Sequence, residues 1–454
     1  MTTLYTEESA RNNSVEIAEE TPVPDEGRRS PAGYMRQTFS SLKIRNYRLY
    51  FIGQGISLTG TWMQIVGQAW LVLKLTNSGT ALGLVVALQY LPILLLAPGG
   101  GVLADRFNKR RILYFTQSGL GLLALVLGIL VATGVVRLWM VFVLAGMLGL
   151  LNAVDNPTRQ SFIHEMVGGK ELKNAVTLNS IEVNLTRVIG PAIAGIVIAT
   201  VGLASCFLLN AGSFIAVLLC LFLMRSGELL RVEPVAQARG QLREGFRYVR
   251  STPVLRDVLI MMGIIGTLTF EFVVTLPLMA KFTFNAGARD LSLLTAFMGA
   301  GAVVGGLLTA GRRSTAPRGL ISVSFAFGAA VILASLAPGI VLCVLAMVLV
   351  GAFSIIFISL GNTILQLESE SKMRGRVMAL WSVAFLGSTT IGGPLVGWIG
   401  AHAGPRWALA VGGIAALGAG IYALFAMRSY PWHEVPAEAF VEKPISAEED
   451  SRVL

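Results

Sequence analysis

The chain has 454 residues, 54% hydrophobic and only 14% charged, with a formal net charge of +10 and a mean hydropathy of +0.68. Soluble chains carry about a quarter charged residues, so this composition excludes a nucleic-acid-binding protein and argues against a soluble enzyme. The 50 glycines fit membrane helices, where glycine is more frequent than in soluble ones.

Residues 1–37 are polar, with Glu7, Glu8, Glu16, Glu19, Glu20, Asp25 and Glu26 among prolines 22, 24 and 31. They read as a disordered cytoplasmic tail and not as a signal peptide, which needs a basic start and a short apolar stretch. Twelve mostly apolar runs then follow, at about 47–73, 79–104, 111–134, 137–163, 171–201, 203–224, 254–281, 290–312, 316–337, 339–366, 373–401 and 404–428. Each is long enough to cross about 30 Å of hydrocarbon as a helix. Alternating ten-residue strands of a porin-type barrel are missing. A second polar tail, 429–454, closes the chain. The expected division is a six-helix bundle at 38–224, a cytoplasmic linker at 225–253 and a second six-helix bundle at 254–428.

Lys and Arg fall on alternate connectors: Arg106, Lys109, Arg110 and Arg111 after run 2, Lys170 and Lys173 after run 4, a cluster from Arg225 to Arg250 after run 6, Arg312, Arg313 and Arg318 after run 8, and Lys372, Arg374 and Arg376 after run 10. The other connectors hold Lys74, Arg137, Lys281, Arg289 and Arg406. By the positive-inside rule the even connectors and both termini face the cytoplasm. In the linker, Leu242, Phe246 and Val249 fall at i, i+4 and i+7 beside Arg243, Arg247 and Arg250, the pattern of a basic amphipathic helix lying on a membrane surface.

The chain nearly repeats at a spacing of about 205 residues: Gly100 to Arg106 answers Gly305 to Arg312, and Ile189-Gly190-Pro191 answers Gly392-Gly393-Pro394. Six runs separate each pair, so the halves run parallel, the plan of a transporter whose substrate site lies between them at mid-membrane.

Gly101-Val102-Leu103-Ala104-Asp105-Arg106-Phe107-Asn108-Lys109-Arg110-Arg111 resembles the signature between the second and third helices of the major facilitator superfamily, with Asn108 where glycine is common. Ser57-Leu58-Thr59-Gly60-Thr61-Trp62-Met63-Gln64 and Asp155-Asn156-Pro157-Thr158-Arg159-Gln160 resemble its bacterial drug and siderophore exporters, which include macrolide and enterobactin exporters. The resemblance covers about residues 38–428. It implies an all-α integral membrane fold of twelve helices in two parallel repeats. It also implies that Gly101, Asp105, Arg106, Arg110 and Arg111 form a conformational latch, Asp105 facing the N-terminal end of run 11 with its positive dipole. Gly190, Pro191 and Gly195 resemble a glycine-proline antiporter signature and would kink run 5.

Charges inside apolar runs are expensive and face a cavity or a partner. Glu271, bounded by apolar residues and threonines, is the leading candidate for proton coupling, since a carboxyl in such a place can hold a proton. Glu182 and Arg187 follow it; five residues apart, they stand about 140° apart on a helix and do not simply pair. Asp155 and Arg159 read as a gating pair. Gln54, Ser57, Thr61, Gln64 and Gln68 form a polar stripe on run 1 that, with Trp62, would receive an amphipathic substrate.

His164, His402 and His433 are scattered, Cys206, Cys220 and Cys343 lie in apolar runs, and no phosphate loop occurs. No metal, disulfide, cofactor or ATP-driven step is expected. The expectation is a monomeric, multi-pass bacterial inner-membrane transporter exporting a small amphipathic compound against protons, with lipids as its surroundings and no nucleic acid partner. A nutrient importer of the same fold and a non-transporting receptor or assembly protein are the alternatives.

Overall fold

With no water in hydrocarbon, a spanning backbone must satisfy its own hydrogen bonds, and apolar runs of this length do so as helices. The computed structural model describes residues 39–230, 241–310, 317–370 and 372–428, with the backbone alone at 97–106, 241, 242, 310 and 317. Its regular elements are all helical among the described residues. The first half contains α1 (Arg45–Thr76), α2 (Gly79–Arg106), α3 (Lys109–Ala132), α4 (Leu138–Thr200) and α5 (Leu203–Leu223). A linker helix, α6 (Gln241–Ser251), leads to α7 (Pro253–Leu268), α8 (Phe272–Leu278), α9 (Ala288–Ala310), α10 (Pro317–Leu336), α11 (Ile340–Glu368), α12 (Arg374–Ser382), α13 (Ser388–His402) and α14 (Pro405–Ala426). Both tails lie outside the described residues.

Among the described residues, ten helical stretches are long and apolar enough to cross a membrane. Two expected runs, 137–163 and 171–201, fall inside the 63-residue α4, which is broken at Gly168 (φ 66°, ψ −179°). Run 1 lies in the 32-residue α1, which is long enough but not among the ten; its stripe of glutamines lowers its apolarity. α7 and α8, with a π-helical turn at Met279–Thr283, make one interrupted span. α12 and α13 make another through the π-helical turn Val383–Gly387.

The polar ends are tied locally. The Asn108 side chain accepts from the Arg111 N–H at 3.1 Å and so caps α3. Asn77, left-handed at φ 51°, closes α1 with its N–H on the Leu73 carbonyl. The linker helix differs from the sequence expectation. Val249 is buried in the core of the second half, and Phe246 is exposed with Arg243, Arg247 and Arg250. Leu242 is outside the described side chains. α6 instead grips the second half: its exposed Glu244 pairs with Arg376 at 2.7 Å, and the Glu370 N–H donates to the Tyr248 hydroxyl at 3.2 Å.

Small residues let helices approach closely where hydrophobicity gives no drive between them. The tightest case is α9 against α11, where a Cβ on Gly301, Gly305 or Gly351 would collide with the carbonyls of Val348, Ala352 or Met298. On the same helix Gly306 has open space. Gly351→Ala should therefore overpack the contact at a cost of about 1–3 kcal/mol. The expected result is a lowered thermal midpoint in detergent, with Gly306→Ala close to wild type; equal midpoints would refute the close packing.

Candidate functional site

The two halves meet along α2 with α13 and along the second arm of α4 with α9, with α1 touching α8. On the first seam, a Cβ on Gly83 would strike the Gly393 carbonyl, and one on Gly79 would stand 2.6 Å from the Gly397 carbonyl. On the second, Gly195 faces Ser292 at 2.7 Å and Gly299 faces the Arg187 carbonyl at 3.0 Å. Gly79, Gly195, Ser292 and Gly397 lie toward the end away from the Lys/Arg-rich connectors, here called the distal end; the other is the basic end. The first-half residues that join the second half's core, Met63, Val66, Ala194 and Cys206, also sit toward the distal end.

Lys281 ties the halves there. Its Nζ donates to the Leu73 carbonyl at 2.6 Å and to Asn77 Oδ1 at 2.7 Å. A cation thus caps the C-terminal end of α1, where unpaired carbonyls and the helix dipole favour positive charge. Sequence reading passed over Lys281 as an ordinary connector charge. Its partners are a backbone carbonyl and an amide, which leave no charge pattern to find.

Glu271 sits in the gap between α7 and α8 and is 1% exposed. Its backbone (φ −81°, ψ 38°) leaves the helical region. The neighbouring Phe270 ring turns toward Phe327 and Phe385, with centroids 5.4 and 5.5 Å away. The Glu271 carboxyl turns toward α13, where Oε1 is 2.8 Å from the position of a Cβ on Gly392. The Thr389 side chain lies beside this carboxyl, while Oε1 and the buried hydroxyls of Thr275 and Thr390 lack hydrogen-bond partners among the described residues. The carboxyl therefore lies behind the Gly392-Gly393-Pro394 segment that forms the α2–α13 seam. Interrupted helices at mid-membrane are found where backbone lines a cavity or lies within protein.

Asp155 and Arg159 form a buried ion pair, Nε to Oδ2 at 2.8 Å. Asp155 Oδ1 also accepts from Thr116 Oγ1 at 2.6 Å and Gln117 Nε2 at 2.9 Å. Arg159 donates to Gln54 Oε1 at 3.1 Å and Asn156 Oδ1 at 2.7 Å. This network borders a cavity of about 70 Å³. The expected stripe contributes Gln54, Ser57, Thr61 and Gln64 to its wall, with Asn210 of α5, whose amide donates to Gln64 at 2.7 Å. The cavity thus lies within the first half, among α1, α3, α4 and α5. Gln68 is buried but does not line it. Glu182 lies against Gly55 with its Oε1 2.8 Å from where a Cβ would stand, and neither oxygen makes a well-formed hydrogen bond among the described residues.

Trp62 takes the other side of α1. The Arg187 guanidinium lies over its ring at 5.0 Å, and a Cβ on Gly190 would collide with the Trp62 Cβ. Gly190 thus serves the α1–α4 approach and Gly195 the seam. Pro191 is buried within helix, and the non-helical dihedrals of α4 fall at Gly168. Of the expected latch, the side chains of Gly101, Asp105 and Arg106 are outside the described residues. Arg110 donates to the Leu221 carbonyl at 2.6 and 3.0 Å and to Ser226 Oγ at 2.6 Å, so it caps α5. Arg111 is exposed. Of the two arginines near the start of α12, Arg374 donates to the Gln366 carbonyl at 2.9 Å, and Arg376 holds Glu244.

The clamp at Lys281 is testable by accessibility. A charge-assisted hydrogen bond contributes about 1.5–3 kcal/mol, so Lys281→Met should open the distal seam roughly tenfold or more. Maleimide labelling of Ser292→Cys in a Cys220→Ser background should speed up accordingly. Unchanged labelling would show that Lys281 does not hold the halves together.

A family profile described as transmembrane secretion effector matches residues 36–452. The staphyloferrin A transporter of Staphylococcus aureus is 26% identical over 339 residues, covering 73% of this chain and 84% of its own. The enterobactin exporter EntS of Escherichia coli O1:K1 is 28% identical over 398 residues, covering 84% and 91%. Among solved structures, a bacterial homolog of the human lysosomal transporter Spinster, inward-facing and occupied, aligns with a TM-score of 0.67 at 14% identity over 85% of this chain and 97% of its own. The nucleoside transporter NupG aligns with a TM-score of 0.65 at 15% identity over 86% and 99%. These two share the fold. With its helical seam, interrupted spans and buried charges, the chain belongs to the transmembrane secretion effector family of major facilitator transporters: it is a multi-pass membrane transporter and not an enzyme.

Proposed function

We propose that the protein is a proton-coupled exporter of a small amphipathic compound, a drug-like molecule or siderophore, working by alternating access as a monomer in a bacterial inner membrane. In this reading the basic end and both tails face the cytoplasm, and the halves are 38–224 and 254–428, joined by the linker at 225–253. Export is favoured by a relative whose name is enterobactin exporter and by a second named for staphyloferrin A. Closure at the distal end, through Lys281 and the glycine seams, then corresponds to an inward-facing state. Asp105 and Arg106 would act when the basic end closes, as the latch of the opposite state.

The observation that carries the reading is Glu271: a buried carboxyl with one unpartnered oxygen, in the gap of an interrupted span, against the glycines of the α2–α13 seam. A carboxylate in hydrocarbon is costly without compensation. Its protonation is therefore sensitive to whether that seam admits water, and a proton gradient can bias the two access states through it. Glu182 is the second candidate, tied to the first half's internal network. Asp155 and Arg159 hold α3, α4 and α1 together and would serve as a gating unit.

Glu271→Gln mimics the protonated form with little change in volume. In reconstituted vesicles, with a panel of fluorescent amphipathic dyes and iron chelators, it should abolish uphill efflux driven by an imposed pH gradient. Downhill exchange should survive at a rate within about threefold of wild type. Retention of gradient-driven accumulation would exclude Glu271 as the coupling acid.

A further inference from the structure

The transport reading leaves Arg187 without a task. It is half-buried on the second arm of α4, and the described ion pairs do not include it. Its Nε is buried with no hydrogen-bond partner among the described residues. The contact that places its head is the Trp62 ring, 5.0 Å from the guanidinium carbon. Tyr90 of α2 lies within electrostatic reach of both Arg187 and Glu271. The four groups stand at one depth. Counted at 1.5 Å per residue from the distal ends of their spans, at Thr76, Gly79, Thr200 and Thr283, Trp62, Tyr90, Arg187 and Glu271 lie about 17–21 Å in. Arg187 is also at the seam, since its carbonyl faces Gly299 of α9 at 3.0 Å from a Cβ position there.

A cation at this depth needs a counter-charge. An indole face offsets only part of the cost, since cation–π contacts contribute about 0.5–2 kcal/mol. A cation over a ring face forms no hydrogen bond there, so the N–H donors along its edge still call for acceptors. That edge is a rigid fork of N–H donors matched to a carboxylate. Glu271 does not fill the role, because its carboxyl turns toward Thr389 and Gly392. We infer that Arg187, held by Trp62, is an anion-binding subsite at the seam between the halves, and that it takes a carboxylate borne on an apolar or aromatic body. Trp62 supplies the flat apolar surface for that body, and Tyr90 supplies a hydroxyl at the same level.

The inference takes its purpose from the transport reading, but its test measures binding alone. Detergent-solubilised protein would be titrated calorimetrically with benzoate, salicylate and 2-naphthoate, and with their neutral amides. Wild type should bind at least one carboxylate tenfold or more tighter than its amide. Arg187→Gln should bring the pair to within about twofold, and Trp62→Ala should weaken both members. If Arg187→Gln does not fold, Arg187→Lys decides: loss of the fork should weaken the carboxylate several-fold and leave the amide unchanged. No carboxylate preference in wild type for any pair, or a preference that survives loss of the guanidinium, overturns the subsite. A protein that pumps dyes but fails here keeps the transport reading and loses the anion subsite; one that binds carboxylates and moves nothing does the reverse.

Discussion

A charge placed in hydrocarbon has only the protein interior to turn to, and that constraint organises this molecule. Asp155 and Arg159 turn inward to each other and to Thr116, Gln117 and Gln54. Glu271 turns to Thr389 across a gap in its own span. Lys281 turns to the end of α1. Apart from the Asp155–Arg159 pair, which lies within α4, these contacts join separate elements, so the cost of burying a polar group becomes a constraint on how helices are placed. The glycines are the counterpart. Where no charge fixes the approach, removal of a side chain permits it, as at Gly83 against Gly393 and Gly301 against Val348.

The two kinds of contact are distributed unequally. Within the second half, α9 and α11 meet backbone to backbone through Gly301, Gly305 and Gly351, a contact that resists shear because a shift of one residue would bring Cβ atoms against carbonyls. Within the first half, the core holds polar side chains around a small cavity. Between the halves the glycine seams are combined with a cation on a helix end. When a charge-assisted contact at a polar rim breaks, water can take the place of the lost partner, whereas nothing replaces buried close packing. The interface between the halves is thus closed at its rim by an interaction that water can replace.

Helix order and most helix limits were legible in the sequence, because span length and apolarity leave few alternatives. The limits shifted between runs 4 and 5, where the expected connector is helical on both sides of Gly168. The buried charges were legible as residue types, since Glu271, Glu182, Arg187, Asp155 and Arg159 stand out against apolar neighbours. Their partners were not. Gln54 meets Arg159 across 105 residues of chain, and Asn210 meets Gln64 across 146. Spacing on one helix says which way a side chain points, not which helix it meets. The polar stripe of α1 shows the consequence: its regular spacing was visible, yet Gln54 and Gln64 line the cavity inside the first half while Trp62 meets Arg187 on the second arm of α4.

The placement of Glu271 and Arg187 also bears on how a proposed exchange of substrate for protons would be coupled. Both lie within electrostatic reach of Tyr90, with opposite sign. An anion bound at Arg187 would raise the negative potential near Glu271 and so favour its protonated form. By reciprocity, a proton on Glu271 would favour the anion. Direct electrostatics therefore links proton and anion with the same sign, which suits co-binding. An exchanger needs the opposite sign: loading one must disfavour the other. For export against protons, the decisive effect of protonating Glu271 has to run through structure and exceed the field term. The geometry offers such a route. Its carboxyl lies against Gly392, one residue from the Gly393 that meets Gly83, so its charge state acts on the seam itself, and the anion subsite responds when the halves move.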